Sequence, residues 1–333
     1  MLSKVGYFQN KKVLVTGAAG FIGSRLVEKL VENGAAVRAF TRYTSRAELG
    51  LLATLPQTIL SQIELVRGDL RDHSAVESAM EGIDVVFHLG ALISIPYSYL
   101  HPVETVQTNV LGTLNILEAC RKTGCRLVHA SSSEVYGTAL RVPIDEEHPL
   151  QGQSPYSASK IGADKLVEAY FRSFDVPSIT VRPFNTYGPG QSTRAVIPTI
   201  ITQALASDRI KLGNLDAIRD FTFVDDTVAG FIAAARSDLW DGEVYNLGSG
   251  QEISIGSIAE LIFEILRKEI VVEIDQKRIR PEKSEVKRLI SDNRKAREKL
   301  NWTPQVPMRE GLTRTITWIR SHMDLYKSNE YGV

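Results

Sequence analysis

The sequence predicts an α/β protein: a doubly wound parallel sheet followed by a smaller mixed domain. Three observations carry this expectation. Short β-branched runs alternate with helical patterns through the first half of the 333-residue chain, the order that a parallel sheet requires. The first run passes straight into the glycine trio Gly17-Ala-Ala-Gly20-Phe-Ile-Gly23 and then into a helical pattern. The alternation stops after Pro183, where Gly188-Pro189-Gly190 marks a turn and the pattern changes.

Lys12 to Thr16 reads as the first strand, and Gly20 to Asn33 as a helix closed by Gly34. Val37 to Thr41, Ile63 to Gly68 and Val85 to Leu89 are strands two to four. A long helix covers Val103 to Lys122, and Arg126 to Ala130 is strand five. Within 155–174, Ile161, Leu166, Val167, Tyr170, Phe171 and Phe174 recur near helical spacing. Ser154 suits the N-cap of that helix and Pro155 its first position. Ser178 to Arg182 is strand six. An apolar helix from Ala195 to Ala206, short strands, a segment rich in Arg and Lys (277–288) and a terminal helix complete the chain. Residues 1–182 are expected to form the sheet domain, with an element returning to it near 221–250. Residues 183–333 form mainly the second domain.

Hydrophobic residues are 43% and charged residues 23%, ordinary for a globular chain. Lys plus Arg and Asp plus Glu are both 39, so the net charge of zero argues against a nucleic-acid partner. The first ten residues lack a signal-peptide pattern, and no apolar run is long enough to span a bilayer, so no membrane partner is expected. Cys120 and Cys125 are too few for a disulfide framework and lack the further ligands of a zinc site. Reduced structural thiols, no metal and a cytoplasmic setting are the expectation.

Strand, glycine trio and helix together form a phosphate-binding turn. Glycines let the backbone turn tightly and approach a pyrophosphate, and the helix N-terminus offers unpaired N–H groups. The expectation is a Rossmann-type sheet holding a nicotinamide dinucleotide; a tight βα turn with no ligand is the alternative. The residues after strand two usually choose between NAD and NADP: a carboxylate bonds the ribose 2′-OH, whereas arginine takes a 2′-phosphate. Here Arg42 and Arg46 stand without an acid, which favours NADP over NAD; solvated surface cations are the alternative. Asp69 ends strand three, placed either to receive the adenine amino group or to cap a helix ahead of Ser74.

Tyr156 and Lys160 lie four apart on the 155–174 helix and share a face. An ammonium there is expected to lower the tyrosine pKa and make it a base for a sugar hydroxyl. Strand five ends in Ser131-Ser132-Ser133-Glu134, at the sheet edge where open α/β folds bind ligands. Ser132 can share a hydrogen bond with Tyr156 and the reacting oxygen. Glu134 supplies a carboxylate that could remove a carbon-bound proton, unless it merely caps a turn.

These residues together resemble the extended short-chain dehydrogenase/reductase family. The motifs are TGAAGFIG (16–23), GDL (68–70), HLGA (88–91), TNVLGT (108–113), SSSEVYG (131–137), YSASK (156–160) and RPFNTYGPG (182–190). The resemblance implies catalytic roles for Ser132, Ser133, Glu134, Tyr156 and Lys160. It places the cofactor on Gly17, Gly20, Phe21, Ile22, Arg42, Asp69, Leu70, Leu89 and Ala91, with Tyr156 and Lys160. It places the substrate on Ser94, Asn185, Val196, Arg219 and Arg280, with Ile197 and Pro198 lining the pocket, and has Asn109 support the active-site helix. For Arg219 and Arg280, surface salt bridges are the alternative.

Ser133-Glu134 is similar to the pair in GDP-mannose 4,6-dehydratases. The runs at 91–102, 134–160 and 185–205 are similar to LegB-type GDP-N-acetylglucosamine 4,6-dehydratases of legionaminic acid biosynthesis. The implied activity is therefore a lyase converting a sugar nucleotide to its 4-keto-6-deoxy form, with tightly bound NADP or NAD recycled in each turnover and a homodimer formed through paired helices. A UDP-glucuronate decarboxylase, a 4-epimerase and a non-catalytic NADP sensor are the competing readings.

Overall fold

The computed structural model describes residues 6–46, 48–276 and 288–326. Its centre is a seven-stranded parallel sheet. Six strands come in chain order: β1 (Lys12–Thr16), β2 (Ala36–Arg42), β3 (Ile63–Gly68), β4 (Val85–His88), β5 (Arg126–Ala130) and β6 (Ser178–Pro183). The seventh is Val244–Leu247, which pairs with β6. Across the sheet the order is Val244–Leu247, β6, β5, β4, β1, β2, β3. The chain thus builds outward from β1 to β3, then restarts on the other side of β1 with β4. That reversal opens a crevice at the carboxyl ends of β1 and β4, where Rossmann-type sheets hold ligands.

The inner strands β1 and β4 are buried on both faces because helices cover both, whereas the edge strand β3 carries the exposed Glu64 and Arg67. Alternate residues of β1 go to opposite layers: Val13 and Val15 join one core cluster, Leu14 the other. In β4, Val85 and Phe87 face the first cluster and Val86 the second. Phe21–Glu32 packs on the first face, and Gly112–Thr123 and Pro155–Phe174 contribute to the second.

The expected Val103–Lys122 helix exists but is not uniform. Pro102–Val106 and Gly112–Thr123 are α-helical, and the Gln107–Leu111 turn between them is a wider π-turn. Such turns recur at functional sites, and this one carries Asn109. The Pro155–Phe174 helix begins as its sequence indicates: Ser154 and Ser157 cap each other reciprocally and Pro155 occupies the first turn. No described helix is long and apolar enough to cross a membrane.

Beyond β6, Asn185–Tyr187 pairs with Phe221–Phe223, and Ile218–Arg219 lies between Ile253–Ser254 and Arg288–Leu289. Val196–Ala206, Ile255–Leu266 and Met308–Ser321 are the main helices of this part. Of the basic segment at 277–288, residues 277–287 lie outside the described residues, and Arg280 with them.

Candidate active site

The glycine trio divides its work. Gly17 has φ +68, and a Cβ there would stand 2.8 Å from the Gly90 nitrogen; at Gly23 it would stand 2.1 Å from the Gly17 carbonyl oxygen. Both glycines are demanded by packing of the turn. At Gly20 a Cβ would meet only the Gly17 oxygen, at 3.2 Å. Gly20 is also exposed and is the N-cap of Phe21–Glu32, with no side chain bonding the first-turn N–H groups. An open, uncapped helix N-terminus fits the pyrophosphate of a dinucleotide. Phe21, Ile22, Leu89 and Ala91 are half-buried around the crevice. Leu70 is buried against Gly90, where an added Cβ would come within 2.7 Å of its Cδ1.

At the end of β2, Arg42 is exposed and its Nη2 lies 3.6 Å from Glu104 Oε1. The sequence reading, which saw no acid near Arg42, is corrected here: the acid comes from Pro102–Val106, far along the chain. Arg46 is exposed. Asp69 does not cap the helix ahead of Ser74; Asp72 does, accepting from the N–H groups of Ser74 and Ala75. Instead Asp69 takes the Arg71 guanidinium at 2.6 and 2.9 Å and the Arg71 N–H at 2.9 Å. The Arg71 hydrogen bond holds the Asp69 carboxyl below its usual range.

Strand five delivers Ser132 and Glu134 to the same place as Tyr156 and Lys160. Ser132 caps the short 3₁₀ turn Ser133–Tyr136, accepting the Glu134 N–H at 3.2 Å. Ser133 is buried and Glu134 half-buried. Tyr156 is buried, and burial pushes its phenol up to about 12; the Ser132 hydroxyl opposes the rise, whereas the Glu134 and Asp164 charges add to it. Lys160 is buried too, donates to the Ala130 carbonyl at 2.6 Å and is pushed down to about 8 by loss of solvent, with Asp164 pulling the other way. The expectation that Lys160 lowers the tyrosine pKa is therefore not met in this arrangement. The ammonium is spent on a backbone carbonyl, and desolvation dominates both groups.

Beneath these residues lies a polar network that sequence reading missed. Asp164, one turn beyond Lys160, accepts from the Ser131 hydroxyl at 2.8 Å and from Arg182 Nε and Nη2 at 3.1 and 2.9 Å. His129 Nε2 stands 3.3 Å from Asp164 Oδ1, off the line of a hydrogen bond. Burial alone would raise Asp164; His129, Arg182 and Lys160 outweigh it and hold the carboxyl at about 2. Arg182 also donates to the Tyr136 hydroxyl at 2.9 Å, which donates to Asn246 Oδ1 at 2.7 Å.

A second chain ties the glycine turn to the tyrosine helix. The Thr113 hydroxyl donates to the Asn109 carbonyl at 2.7 Å, so it accepts from His88 Nε2, 3.0 Å away. Burial holds His88 well below its usual pKa and hence neutral. Its Nδ1 therefore accepts from Thr16, 2.8 Å away, whose oxygen accepts the Gly90 N–H at 3.0 Å. The Asn109 amide donates to the Leu92 carbonyl and to Ser159, and the Ser159 hydroxyl donates to the Tyr156 carbonyl at 2.7 Å. Asn109 thus does brace the helix bearing Tyr156.

On the substrate side, the Asn185 amide donates to the Asp220 carbonyl at 3.4 Å. Arg219 precedes Asp220 and is buried, its Nη1 donating to the Ile218 carbonyl at 3.0 Å. It is therefore no loose surface cation. Val196 opens Val196–Ala206, with Ile197 and Pro198 buried behind it. The Ser94 hydroxyl caps Ile95–Leu100, accepting the Tyr97 N–H at 3.3 Å.

The family model for GDP-mannose 4,6 dehydratase matches residues 14–315. Among curated relatives, a dTDP-glucose 4,6-dehydratase from Streptomyces antibioticus is 34% identical, covering 93% of this chain and 92% of the relative. A putative UDP-glucose 4-epimerase from Methanocaldococcus jannaschii is 33% identical over 93% and 99%. UDP-glucuronic acid decarboxylase 1 from Xenopus tropicalis is 31% identical over 96% and 75%. In structure the chain is similar to the epimerase Mth375 of Methanothermobacter thermautotrophicus, with TM-score 0.88 and 32% identity over 96% and 95% of the two chains. It is also similar to a UDP-glucuronic acid 4-epimerase from Bacillus cereus solved with UDP-glucuronic acid and NAD, with TM-score 0.85 and 29% identity over 93% and 99%. The glycine-rich turn, the Rossmann-type sheet and the active-site motifs converge with these likenesses, and the chain belongs to the extended short-chain dehydrogenase/reductase family of sugar-nucleotide dehydratases, decarboxylases and epimerases.

Proposed function

We propose that the chain is a sugar-nucleotide 4,6-dehydratase, with GDP-N-acetylglucosamine as the first candidate substrate and the 4-keto-6-deoxy sugar nucleotide as product. The observation that carries the reading is Glu134. The half-buried Glu134 carboxylate stands close enough for its charge to act on the Tyr156 phenol, and C4 oxidation alone has no use for a second base. The base and sugar rest on the sequence likeness at 91–102, 134–160 and 185–205.

In this reading Tyr156 takes the proton of the C4 hydroxyl while Ser132 holds that oxygen. Against a pKa of about 12, a free phenolate at neutral pH would cost about 7 kcal/mol. The phenol must therefore give up its own proton to solvent before it can accept that of the C4 hydroxyl, and that loss carries this cost. A bound nicotinamide dinucleotide supplies a hydride acceptor at C4, a hydride donor at C6 and, when oxidised, a positive charge that lowers this cost. The ketone acidifies the C5 hydrogen, and Glu134 removes it. Ser133 is a poor acid, so Glu134 passes the same proton to the departing C6 hydroxyl; hydride return to C6 is then completed by a proton at C5, the equivalent of the one Tyr156 took from the C4 hydroxyl. Asn185, Val196 and Arg219 hold the nucleotide, and the Gly17–Gly23 turn holds the cofactor. The exposed apolar residues Leu100, Val103, Val106 and Leu111 along the Ile95–Leu111 helical turns support a homodimer.

Glu134→Gln tests the assignment. Substrate should still reduce the cofactor, seen as nicotinamide absorbance, but dehydration should fall by about two to four orders of magnitude. Dehydration at the unaltered rate would refute it. A decarboxylase is the second reading, favoured by the Ser133-Glu134 pair; release of carbon dioxide from UDP-glucuronate would establish it.

A further inference from the structure

The end of the crevice at β2 and β3 carries four charges from three segments. Arg42 closes β2, in register with Gly68 of β3; Asp69 and Arg71 follow β3; Glu104 comes from Pro102–Val106. Asp69 and Arg71 satisfy each other through two short side-chain hydrogen bonds. Arg42 and Glu104 form an ion pair across the end of β2, where a ribose 2′ group is read, with the Arg71 charge also acting on Glu104.

The two are not equivalent. The Arg42 side chain is 64% exposed, and a surface guanidinium on a long stem is free to reorient. Glu104 is 26% exposed and is fixed by the Tyr97 hydroxyl, which donates to its Oε2 at 2.7 Å. The permanent feature at this end is therefore a carboxylate, with the arginine swung onto it at 3.6 Å.

We propose that Glu104 sets the choice of dinucleotide: its carboxylate repels a 2′-phosphate and occupies Arg42, so that NAD is taken in preference to NADP. The inference rests on the crevice being the nicotinamide dinucleotide site. A 2′-phosphate brings up to about two negative charges. Placed by Arg42, it would both face Glu104 and have to draw Arg42 away from it. A 2′-hydroxyl meets neither obstacle and can donate to the carboxylate. The device differs from the usual one, in which the acid stands at the end of strand two itself. Here a helix distant in sequence lends it, whereas Arg42 and Arg46 point the sequence reading toward NADP.

The test is competition for the full-length protein. The chain is equilibrated with NAD and NADP in equal excess, freed of unbound dinucleotide, and the bound ratio read by mass spectrometry. The unaltered protein should hold mainly NAD. Glu104→Gln keeps the shape and the contact with Tyr97, and should move the ratio toward NADP by about tenfold, roughly 1.4 kcal/mol. Adding Arg42→Ala to that variant should reverse most of the gain, because Arg42 is what the phosphate then meets. A ratio unchanged by Glu104→Gln, or an unaltered protein that already holds mainly NADP, overturns the proposal. Retention of neither dinucleotide would instead overturn the cofactor reading beneath it.

Discussion

Among the described residues, the carboxylate whose charge acts on the buried Lys160 is Asp164, and Lys160 is already short of solvation. Its folded pKa, about 8, lies below the usual 10.5 because burial outweighs Asp164. Removing the Asp164 charge lowers it further, so any step that needs the ammonium must fail at lower pH. Asp164→Asn is therefore expected to move the alkaline limb of the rate profile down by about one pH unit. The same change strands Arg182 in the interior and should cost about 3–5 kcal/mol in denaturant unfolding. Asp164→Glu should recover part of both. An unmoved alkaline limb would show that Asp164 only packs. For Asp164 itself the folded pKa, about 2, is below the usual 3.8; its contribution to stability is present above pH 4 and is lost as pH falls toward 2. Asp164 stands four residues from Lys160, the spacing that pairs Lys160 with Tyr156, so it was within reach of the sequence. His129 and Arg182 were not: they arrive from β5 and β6, and no spacing along one helix points to them.

At the scale of the element, the turn between β1 and its helix separates folding from binding. Gly23→Ala would drive a Cβ to 2.1 Å from the Gly17 oxygen and force the helix off the strand. Gly20→Ala meets only one atom at 3.2 Å. The account predicts that Gly23→Ala lowers thermal stability by more than about 2 kcal/mol, whereas Gly20→Ala melts within about 1 kcal/mol of the parent yet binds dinucleotide at least about tenfold more weakly. Equal melting losses would contradict this division. The strands β1 to β6 were legible within one residue at each end because each is a short run dominated by β-branched and other apolar residues between turn signals. The π-turn at Gln107–Leu111 was not legible. Its residues continue a helical pattern, and the bonds from Asn109 to Leu92 and Ser159 are tertiary. Glu104 was missed for the same reason: its partner Arg42 belongs to another element.

At the scale of the molecule, the reversal of strand order beside β1 opens a crevice beside the Gly17–Gly23 turn, and the returning strand Val244–Leu247 ties the second half of the chain to the sheet. Leu100, Val103 and Val106 then stand exposed on helical turns beside that crevice, a surface that a second copy would cover. Val106→Glu should convert a dimer to a monomer in sedimentation; a parent that sediments as a monomer would remove the argument. Residues could suggest this surface, but only the fold shows which apolar side chains the core leaves outside. The central claim concerns Glu134 and the loss of water. The decisive measurement is the mass of the product formed from GDP-N-acetylglucosamine, with UDP-glucuronate and UDP-glucose alongside. The account predicts a product lighter by one water from the first, with no net change in the cofactor. Carbon dioxide from UDP-glucuronate, or an isomer of unchanged mass from any of the three with no dehydration, would contradict it.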